Sequence, residues 1–324
     1  MSDKRTLRGF ACALLLSNSI LLLGCQQEST TFDNISVLSV PSRGLLISTL
    51  TTDPSTGPGV VTLFNSHGSL SRIVRDFFSS SEFATGLVLG TGNRVYIAIE
   101  GSDRVEELNL VTNVSTQFAS GFLAGSPLRQ MTRSSDGSIF VVESATNTIE
   151  KIDASGARAG GPLIPTTVGA CVLATPYGIT YIPTSDRIAV ISSAAAGRLS
   201  IYDSNGACIG HITGAPFSTG TPTGIAYHAL SDKLLVTFSG SHAIYSFDTN
   251  GGTATQIFLN SAIVNAPRAI AVDADGYIYV GSNGTDTIEK LFYDGTGVAT
   301  RALAGPLIGP SIYTQNPTSI LVLP

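Results

Sequence analysis

The stretch PRAIAVDADGYIYVGSNGTDTIEKLFYDGTG, residues 267–297, contains the pattern that decides the fold. Three apolar or β-branched runs begin near Pro267, Tyr277 and Thr287 and are separated by short polar segments. Asp275-Gly276 favours a tight hairpin turn, because Gly accepts a positive φ. The runs are too short for helices and have the composition of buried strands. This stretch therefore predicts three antiparallel strands joined by short turns.

The same pattern occurs five times along the chain. The copies start at Ala84, Pro127, Pro176, Pro222 and Pro267, with spacings of 43, 49, 46 and 45 residues. The tetrapeptide TIEK stands at equivalent places in two of them, Thr148–Lys151 and Thr287–Lys290. A period of about 40–50 residues with several strands per repeat is typical of β-propeller blades. No segment after residue 25 has a convincing helical period, so we predict an all-β fold.

The repeats resemble the NHL and SMP-30/gluconolactonase-like propellers. The motifs that carry this resemblance are the Pro-x-Gly-Ile strand, the Asp-Gly turn, the Ile-Tyr-Val strand and the Thr-Ile-Glu-Lys strand. The resemblance implies four-stranded antiparallel blades around a central channel. In the gluconolactonase-like family, that channel holds a divalent cation through Glu and Asn or Asp oxygens, which suit Ca²⁺.

The two ends of the chain predict how the ring closes. Pro317–Leu323 reads as an innermost strand, and the remaining strands of that blade read as Gly44–Thr49, Gly59–Phe64 and Leu70–Val74. A blade shared between the ends hides sheet edges that would otherwise be open. Five complete copies and one shared blade make six. Seven blades is the alternative, because Ser36–Val40 has the composition of a strand that is not assigned to any of the six blades. We predict that residues 36–324 form a single six-bladed β-propeller domain.

Residues 1–24 have the pattern of an export signal. Three basic residues precede the apolar stretch 9–24, which is too short to span a bilayer and suits the core of a signal peptide. The stretch ends in Leu22-Leu23-Gly24-Cys25, which resembles the lipobox of bacterial lipoproteins, with Leu23 in place of the usual small residue. The resemblance implies cleavage before Cys25 and lipidation of its thiol. The alternative is an ordinary secretory signal followed by a coincidental cysteine.

Lipidation of Cys25 would make residues 25–35 a flexible tether in the cell envelope. In the Gram-negative sorting scheme, Asp after the lipidated Cys favours the inner membrane. Gln26 stands there, so the resemblance implies the outer membrane, facing the periplasm. We expect a monomer that is attached to the membrane through its lipid.

The charge balance excludes some classes of partner. The 324-residue chain has a formal net charge of −5 and only 13% charged residues. Without residues 1–24 it keeps 15 basic and 22 acidic residues, a net charge of −7. An acidic chain does not predict nucleic-acid binding or adhesion to anionic lipid.

Ligands of propellers usually bind at the channel, on the face where loops precede the innermost strands and join the second and third strands. The residues beside the innermost strands are Thr85, Arg129, Tyr177, Thr223, Arg268 and Thr318, and the loops offer Asp53, Glu100, Asp103, Arg104, Glu143, Asn147, Arg198, His242, Asn283 and Asp286. We predict a ligand-binding face formed by Arg129, Arg268, Tyr177, Thr223, Glu100 and Glu143. Arg suits a carboxylate or phosphate. The alternative is a salt bridge with a channel acid such as Asp273.

Metal and catalytic chemistry are less well marked. Glu100 and Glu143 end second strands and are the metal ligands that the resemblance implies; alternatively they pair with Arg104 or Arg129. The four histidines (His67, His211, His228 and His242) fall in different parts of the repeats, so no zinc site is predicted. The sequence has no nucleophile elbow, Walker loop or dinucleotide fingerprint, and catalytic residues stay unknown.

Two cysteines remain after Cys12 and Cys25. In an oxidising periplasm, Cys171 and Cys208 read as a disulfide, with two buried free thiols as the alternative.

Two functions follow from these features. The first is a non-enzymatic binding module in the envelope, without a cofactor, for a protein or a small ligand. The second is a lactonase-like hydrolase or lyase that depends on a Ca²⁺-type metal in the channel. A structural role in envelope assembly is a third reading.

Overall fold

The computed structural model describes residues 40–41, 43–50, 59–77, 82–194 and 197–324. The predicted signal peptide, Cys25, the tether and most of Ser36–Val40 lie outside these residues. The described elements are all β-strands, and Ser39–Pro324 forms one compact unit. Within the described ranges, no helix has the length and apolarity needed to cross a membrane.

The described strands form seven antiparallel sheets; six of them are numbered here as blades 1 to 6, and the seventh is a two-stranded hairpin. Blade 1 consists of β1 (Leu45–Thr49), β2 (Gly59–Phe64), β3 (Leu70–Phe77) and, from the far end of the chain, β25 (Pro317–Val322). Blade 2 consists of β4 (Phe83–Leu89), β5 (Arg94–Glu100), β6 (Arg104–Asn109) and β7 (Val114–Ser120). Blade 3 consists of β8 (Leu128–Arg133), β9 (Ile139–Glu143) and β10 (Thr148–Ile152).

A short hairpin, β11 (Thr167–Val168) and β12 (Cys171–Val172), precedes the second half of the ring. Blade 4 consists of β13 (Pro176–Ile182), β14 (Arg187–Ser192), β15 (Arg198–Asp203) and β16 (Cys208–Ile212). Blade 5 consists of β17 (Pro222–His228), β18 (Lys233–Phe238), β19 (Ala243–Asp248) and β20 (Thr255–Leu259). Blade 6 consists of β21 (Pro267–Val272), β22 (Tyr277–Ser282), β23 (Thr287–Phe292) and β24 (Thr300–Arg301).

The innermost strands close a ring, which confirms the predicted six-bladed β-propeller. They follow the order β25, β4, β8, β13, β17 and β21; each contacts the next, and β21 contacts β25. β25 pairs antiparallel with β1, so the C-terminal strand completes the N-terminal blade as predicted.

Blade 3 departs from the four-stranded pattern. Its regular ladder has three strands, and the outer position holds only isolated bridges from Ile152 to Arg158 and from Ile149 to Ile164. The segment that would form the fourth strand contains Gly160-Gly161-Pro162 and Pro165. Pro cannot donate to a strand ladder and Gly weakens it, which accounts for the interruption.

The Pro-x-Gly motif lets neighbouring innermost strands approach closely. A Cβ added at Gly224 would lie 2.6 Å from Arg268 O in the next blade, and one at Gly86 would lie 2.6 Å from Arg129 O. These contacts are too short for a side chain, so glycine is required there. Apolar side chains, such as the fully buried Val236 and Ile278, fill the space between blades.

A register shift follows the first residue of the innermost strands. The ladder pairs Pro222 and then Gly224, and it likewise pairs Pro267 and then Ala269. The skipped residue is the one that follows the Pro, Thr223 in Pro-x-Gly and Arg268 in Pro-Arg-Ala. Bulges of this kind redirect a side chain, and here they place at least one residue of each blade at the mouth of the channel; in blade 3 the ladder skips both Arg129 and Gln130.

Candidate functional site

The skipped residues form a ring of six side chains at one mouth of the channel. In chain order of the blades they are Thr318, Thr85, Arg129, Tyr177, Thr223 and Arg268. The three threonines donate to the main-chain carbonyl of the next innermost strand: Thr85 to Leu128 O at 2.7 Å, Thr223 to Pro267 O at 2.6 Å, and Thr318 to Ala84 O at 2.8 Å. Thr223, predicted as a ligand residue, therefore holds two blades together.

The other three ring residues are long and contact one another. The Nε–H of Arg268 donates to the Tyr177 hydroxyl at 2.5 Å, although one blade separates them. The guanidinium carbons of Arg129 and Arg268 lie 5.5 and 5.6 Å from the centre of the Tyr177 ring. These are the distances of cation–π contacts. The fold thus brings two predicted ligand-face residues, Arg129 and Arg268, into contact with a third, Tyr177.

A cavity of about 390 Å³ opens beside Arg268 and Tyr177. It lies between blades 4, 5 and 6, over the short side chain of Thr223. Its wall consists of Tyr177, Ser193, Thr221, Pro222, Thr223, Ser239, Ala266, Arg268 and Asn283. We call this space the mouth cavity. A recess of this size, bounded by a few polar groups, suits a small ligand.

The charge of Arg268 is not neutralised by a carboxylate of the described residues, and no acidic side chain lines the mouth cavity there. Asp273, the acid expected as a partner, accepts from the Tyr279 hydroxyl at 2.9 Å, beyond the opposite end of β21. Arg129 differs, because its guanidinium contacts Glu100 Oε2 at 2.6 Å. Of the two arginines, only Arg268 therefore presents an unneutralised cation to the mouth cavity.

Asn283 is a second unsatisfied group of the mouth cavity. Its Oδ1 is buried and has no hydrogen-bond partner among the described residues. A buried amide oxygen without a donor costs free energy. Asn283 was one of many loop candidates in the sequence, and Ser193 and Ser239 were not predicted to line a site. Ser193, Ser239 and Asn283 share one feature, a main-chain hydrogen bond to the residue before the innermost strand of their blade. The acceptors are Thr175 O, Thr221 O and Ala266 O, respectively.

Glu100 and Glu143 do not face the same way, contrary to the prediction. In blade 3, Glu143 of the second strand pairs with Thr148, the first residue of the third strand. In blade 2, the residue that pairs with the first residue of the third strand, Arg104, is Ile99. Glu100 is thus one residue further along, and successive side chains of a strand point to opposite faces. Glu143 is 3% exposed and accepts the Leu123 N–H at 2.7 Å. It holds a loop, whereas Glu100 pairs with Arg129.

Most of the other loop candidates connect blades. Asp103, Asn147, His242 and Asp286 have φ values of 52–57°, a conformation that Asn, Asp and His adopt more readily than most residues. Their side chains accept main-chain N–H groups that precede the next blade: Gly125 at 2.9 Å, Thr175 at 2.6 Å, Ala266 at 2.9 Å and Asn316 at 3.0 Å. Arg104 contacts Glu82 and Glu106. Asp53 lies outside the described residues.

The histidines and cysteines occupy separate places. Buried His228 contacts Ser231 Oγ through Nδ1 at 2.7 Å, whereas His67 is exposed. No group of three or more His, Cys, Asp or Glu side chains within the described ranges is arranged to hold a metal ion. Cys171 and Cys208 form a disulfide with an S–S distance of 2.03 Å, which links the β11–β12 hairpin to the outer strand of blade 4.

No family model and no curated protein matches the sequence. By contrast, 1444 chains of known structures are similar to this chain in structure. A chain in the crystal structure of the nidogen/laminin complex aligns with a TM-score of 0.65 and 14% identity over 86% of this chain and 97% of that one. Virginiamycin B lyase from Staphylococcus aureus aligns with a TM-score of 0.54 and 19% identity over 67% and 69%. A catalytically inactive form of that lyase with quinupristin gives 0.55 and 19%, over 71% and 73%. At these identities the likeness shows the propeller fold alone.

Proposed function

We propose that this protein is a non-enzymatic binding module of the bacterial cell envelope, which holds a small anionic ligand in the mouth cavity. The observation that carries the proposal is the guanidinium of Arg268. It lies over the Tyr177 ring, borders a cavity of about 390 Å³ and has no carboxylate partner among the described residues. A half-buried cation of this kind gains most from an anion that replaces its lost hydration.

The first described residues of the propeller lie on the face opposite the mouth cavity. Arg43 contacts Asp275, in the turn that follows β21, and its N–H donates to Pro324 O. This is the face opposite the mouth cavity, because β21 runs from Pro267 at the mouth to that turn. The localisation in the outer membrane rests on the sequence resemblance.

The alternative is a lactonase-like hydrolase or lyase with a Ca²⁺-type metal. The lyase among the structures of similar fold makes this class worth testing, as the nidogen/laminin complex does for protein binding. The two carboxylates expected as ligands are both engaged, Glu100 by Arg129 and Glu143 by the Leu123 N–H. A metal at either would have to displace these bonds, which favours the binding module.

Native mass spectrometry of the full-length protein, purified gently from its own envelope, tests the proposal. We expect a small molecule bound to the wild type, which Arg268→Met releases. Met preserves the length of the side chain over Tyr177 and removes the charge. An unchanged bound fraction in Arg268→Met, or a wild type without any bound molecule, would contradict the proposal. Elemental analysis of the same sample tests the alternative: about one Ca²⁺ per chain, lost in Glu100→Gln, would favour the hydrolase or lyase.

A further inference from the structure

The polar groups around the mouth cavity divide into donors and acceptors. On one side, the Nη atoms of Arg268 carry protons that no described residue accepts, and Nε is bonded to the Tyr177 hydroxyl. Because that hydroxyl oxygen accepts from Nε, its own proton is free to donate. Arg268 and Tyr177 together therefore present several donors and one positive charge.

The opposite wall presents mainly acceptors, with the Asn283 amide N–H groups as donors. The hydroxyls of Ser193, Ser239 and Thr223 donate to main-chain carbonyls, at 3.1, 3.4 and 2.6 Å respectively. Their protons are thus used, and only their lone pairs remain for a ligand. Asn283 Oδ1 adds a buried acceptor without a donor. A simple inorganic anion would satisfy Arg268 and leave this wall unsatisfied.

The donor that meets this wall has to be uncharged. The acceptors are neutral, and no carboxylate of the described residues lines the mouth cavity. An ammonium group would stand against this wall without a protein carboxylate to pair with it, which is unfavourable in a partly desolvated cavity. Hydroxyl groups fit both requirements, since they donate protons and carry no charge.

We propose that the ligand is a hydroxylated organic acid. Its carboxylate binds Arg268 and the Tyr177 hydroxyl, and its hydroxyls donate to Asn283 Oδ1 and the neighbouring Ser oxygens. This inference rests on the proposed function, because it identifies the chemical class of ligand for the same site.

Three probes with the same four-carbon skeleton separate the two halves of the proposal. Tartrate carries carboxylates and hydroxyls, succinate carries only the carboxylates, and threitol carries only hydroxyls. Isothermal titration of each into the full-length protein, in detergent and at constant ionic strength, measures the affinities. We expect tartrate to bind about five- to tenfold more tightly than succinate, as one or two neutral hydrogen bonds predict. We expect no measurable heat of binding from threitol.

Asn283→Ala identifies the acceptor. It should weaken tartrate about fivefold and leave succinate unchanged. Ser144→Ala is the matched control, because Ser144 makes the same main-chain bond in blade 3, to Pro127 O, and does not line the mouth cavity. If Asn283→Ala fails to fold, the comparison of the three probes on the wild type still tests whether the ligand needs both hydroxyls and a carboxylate.

The possible failures are distinct. Equal affinities for tartrate and succinate would overturn the hydroxyl requirement and leave the anion site of the proposed function standing. Threitol binding as tightly as tartrate would overturn the role of the carboxylate. Absence of binding by both acids would contradict an anion site at Arg268, and with it the proposed function.

Discussion

Blades 1, 2 and 5 differ from blades 3, 4 and 6 in the side chain that the bulge of the innermost strand places at the channel mouth. In the first set, Thr318, Thr85 and Thr223 each donate to the next blade and strengthen the ring. In the second set, Arg129, Tyr177 and Arg268 make no such bond and contact one another across the mouth. The same backbone bulge thus serves ring closure where the side chain is short, and it carries the proposed ligand-binding residues, Tyr177 and Arg268, where the side chain is long.

Thr318→Val tests the role of the three threonines in holding the ring together, and it should have the largest effect on stability. Thr318 is 2% exposed, and its hydroxyl contacts Ala84 O at 2.8 Å and Ser48 Oγ at 2.8 Å. Valine keeps the shape and leaves these buried groups without their partner, so the free energy of unfolding should fall by about 1–3 kcal/mol. Urea titration measures the loss. Thr223→Val, at a half-buried site, should cost about 1 kcal/mol, and a smaller loss at Thr318 than at Thr223 would contradict the account.

Glu106→Gln tests the contact between blades 1 and 2 through its pH dependence. Burial alone would raise the pKa of Glu106, but the hydrogen bonds from Arg75, Ser115 and Arg104 outweigh that effect and lower the pKa to about 2. A carboxyl whose folded pKa lies below its unfolded pKa stabilises the fold above the unfolded value, about 4.3, and that contribution disappears as the pH falls towards 2. We expect the wild type to exceed Glu106→Gln by about 1–2 kcal/mol at pH 7, since solvent reaches the Arg75 side of the pair.

The pH profile of that difference is the decisive readout. Unfolding free energies at pH 7, 5, 4 and 3 should converge for wild type and variant over the acidic half of this range. Glu289 is the matched control in blade 6, because burial raises its pKa despite the hydrogen bonds from Arg301. A gap that stays constant from pH 7 to pH 3 would mean that ionised Glu106 contributes nothing to stability.

Tyr177→Phe sharpens the comparison from the ligand-binding side. The variant keeps the ring under both guanidinium groups and removes only the hydroxyl that contacts Arg268 Nε. Loss of about 1 kcal/mol of hydrogen bonding predicts a roughly fivefold weaker affinity for tartrate. The unfolding free energy should change by less than in Thr318→Val. If stability falls and affinity does not, Tyr177 is a structural residue.

Arg129→Met should have the smallest effect. Its partner Glu100 is a quarter exposed, and a pair that solvent reaches contributes about 0–1 kcal/mol. Urea titration should show a loss of that size, and tartrate affinity should stay within about twofold. A large loss of affinity would show that both arginines bind the ligand.

The ring was predictable because each blade repeats a local pattern of strands and turns. The closing strand Pro317–Val322 followed from the same pattern at the C-terminus. The orientation of Glu143 was not predictable, because a shift of one residue in register reverses the face of a strand. The contact between Tyr177 and Arg268 was also not predictable, because the two residues are 91 positions apart and belong to blades 4 and 6, with blade 5 between them.

The chemistry of the site depends on pairings that the sequence leaves open. Arg129 and Arg268 occupy equivalent positions, and only the fold shows that Glu100 neutralises the first and that Asp273 is remote from the second. Likewise, nothing in the composition of the loops distinguishes Asn283, with its unpartnered oxygen, from Asn147, whose side chain accepts the Thr175 N–H.

The affinity of tartrate for Arg268→Met, measured beside wild type and Arg129→Met by isothermal titration, tests the central claim most directly. Hydrogen bonds to a charged group contribute about 1.5–3 kcal/mol, so Arg268→Met should bind tartrate about 10- to 100-fold more weakly while Arg129→Met stays near the wild type. Equal losses in the two variants, or an unchanged affinity in Arg268→Met, would contradict the assignment of the mouth cavity as an anion site.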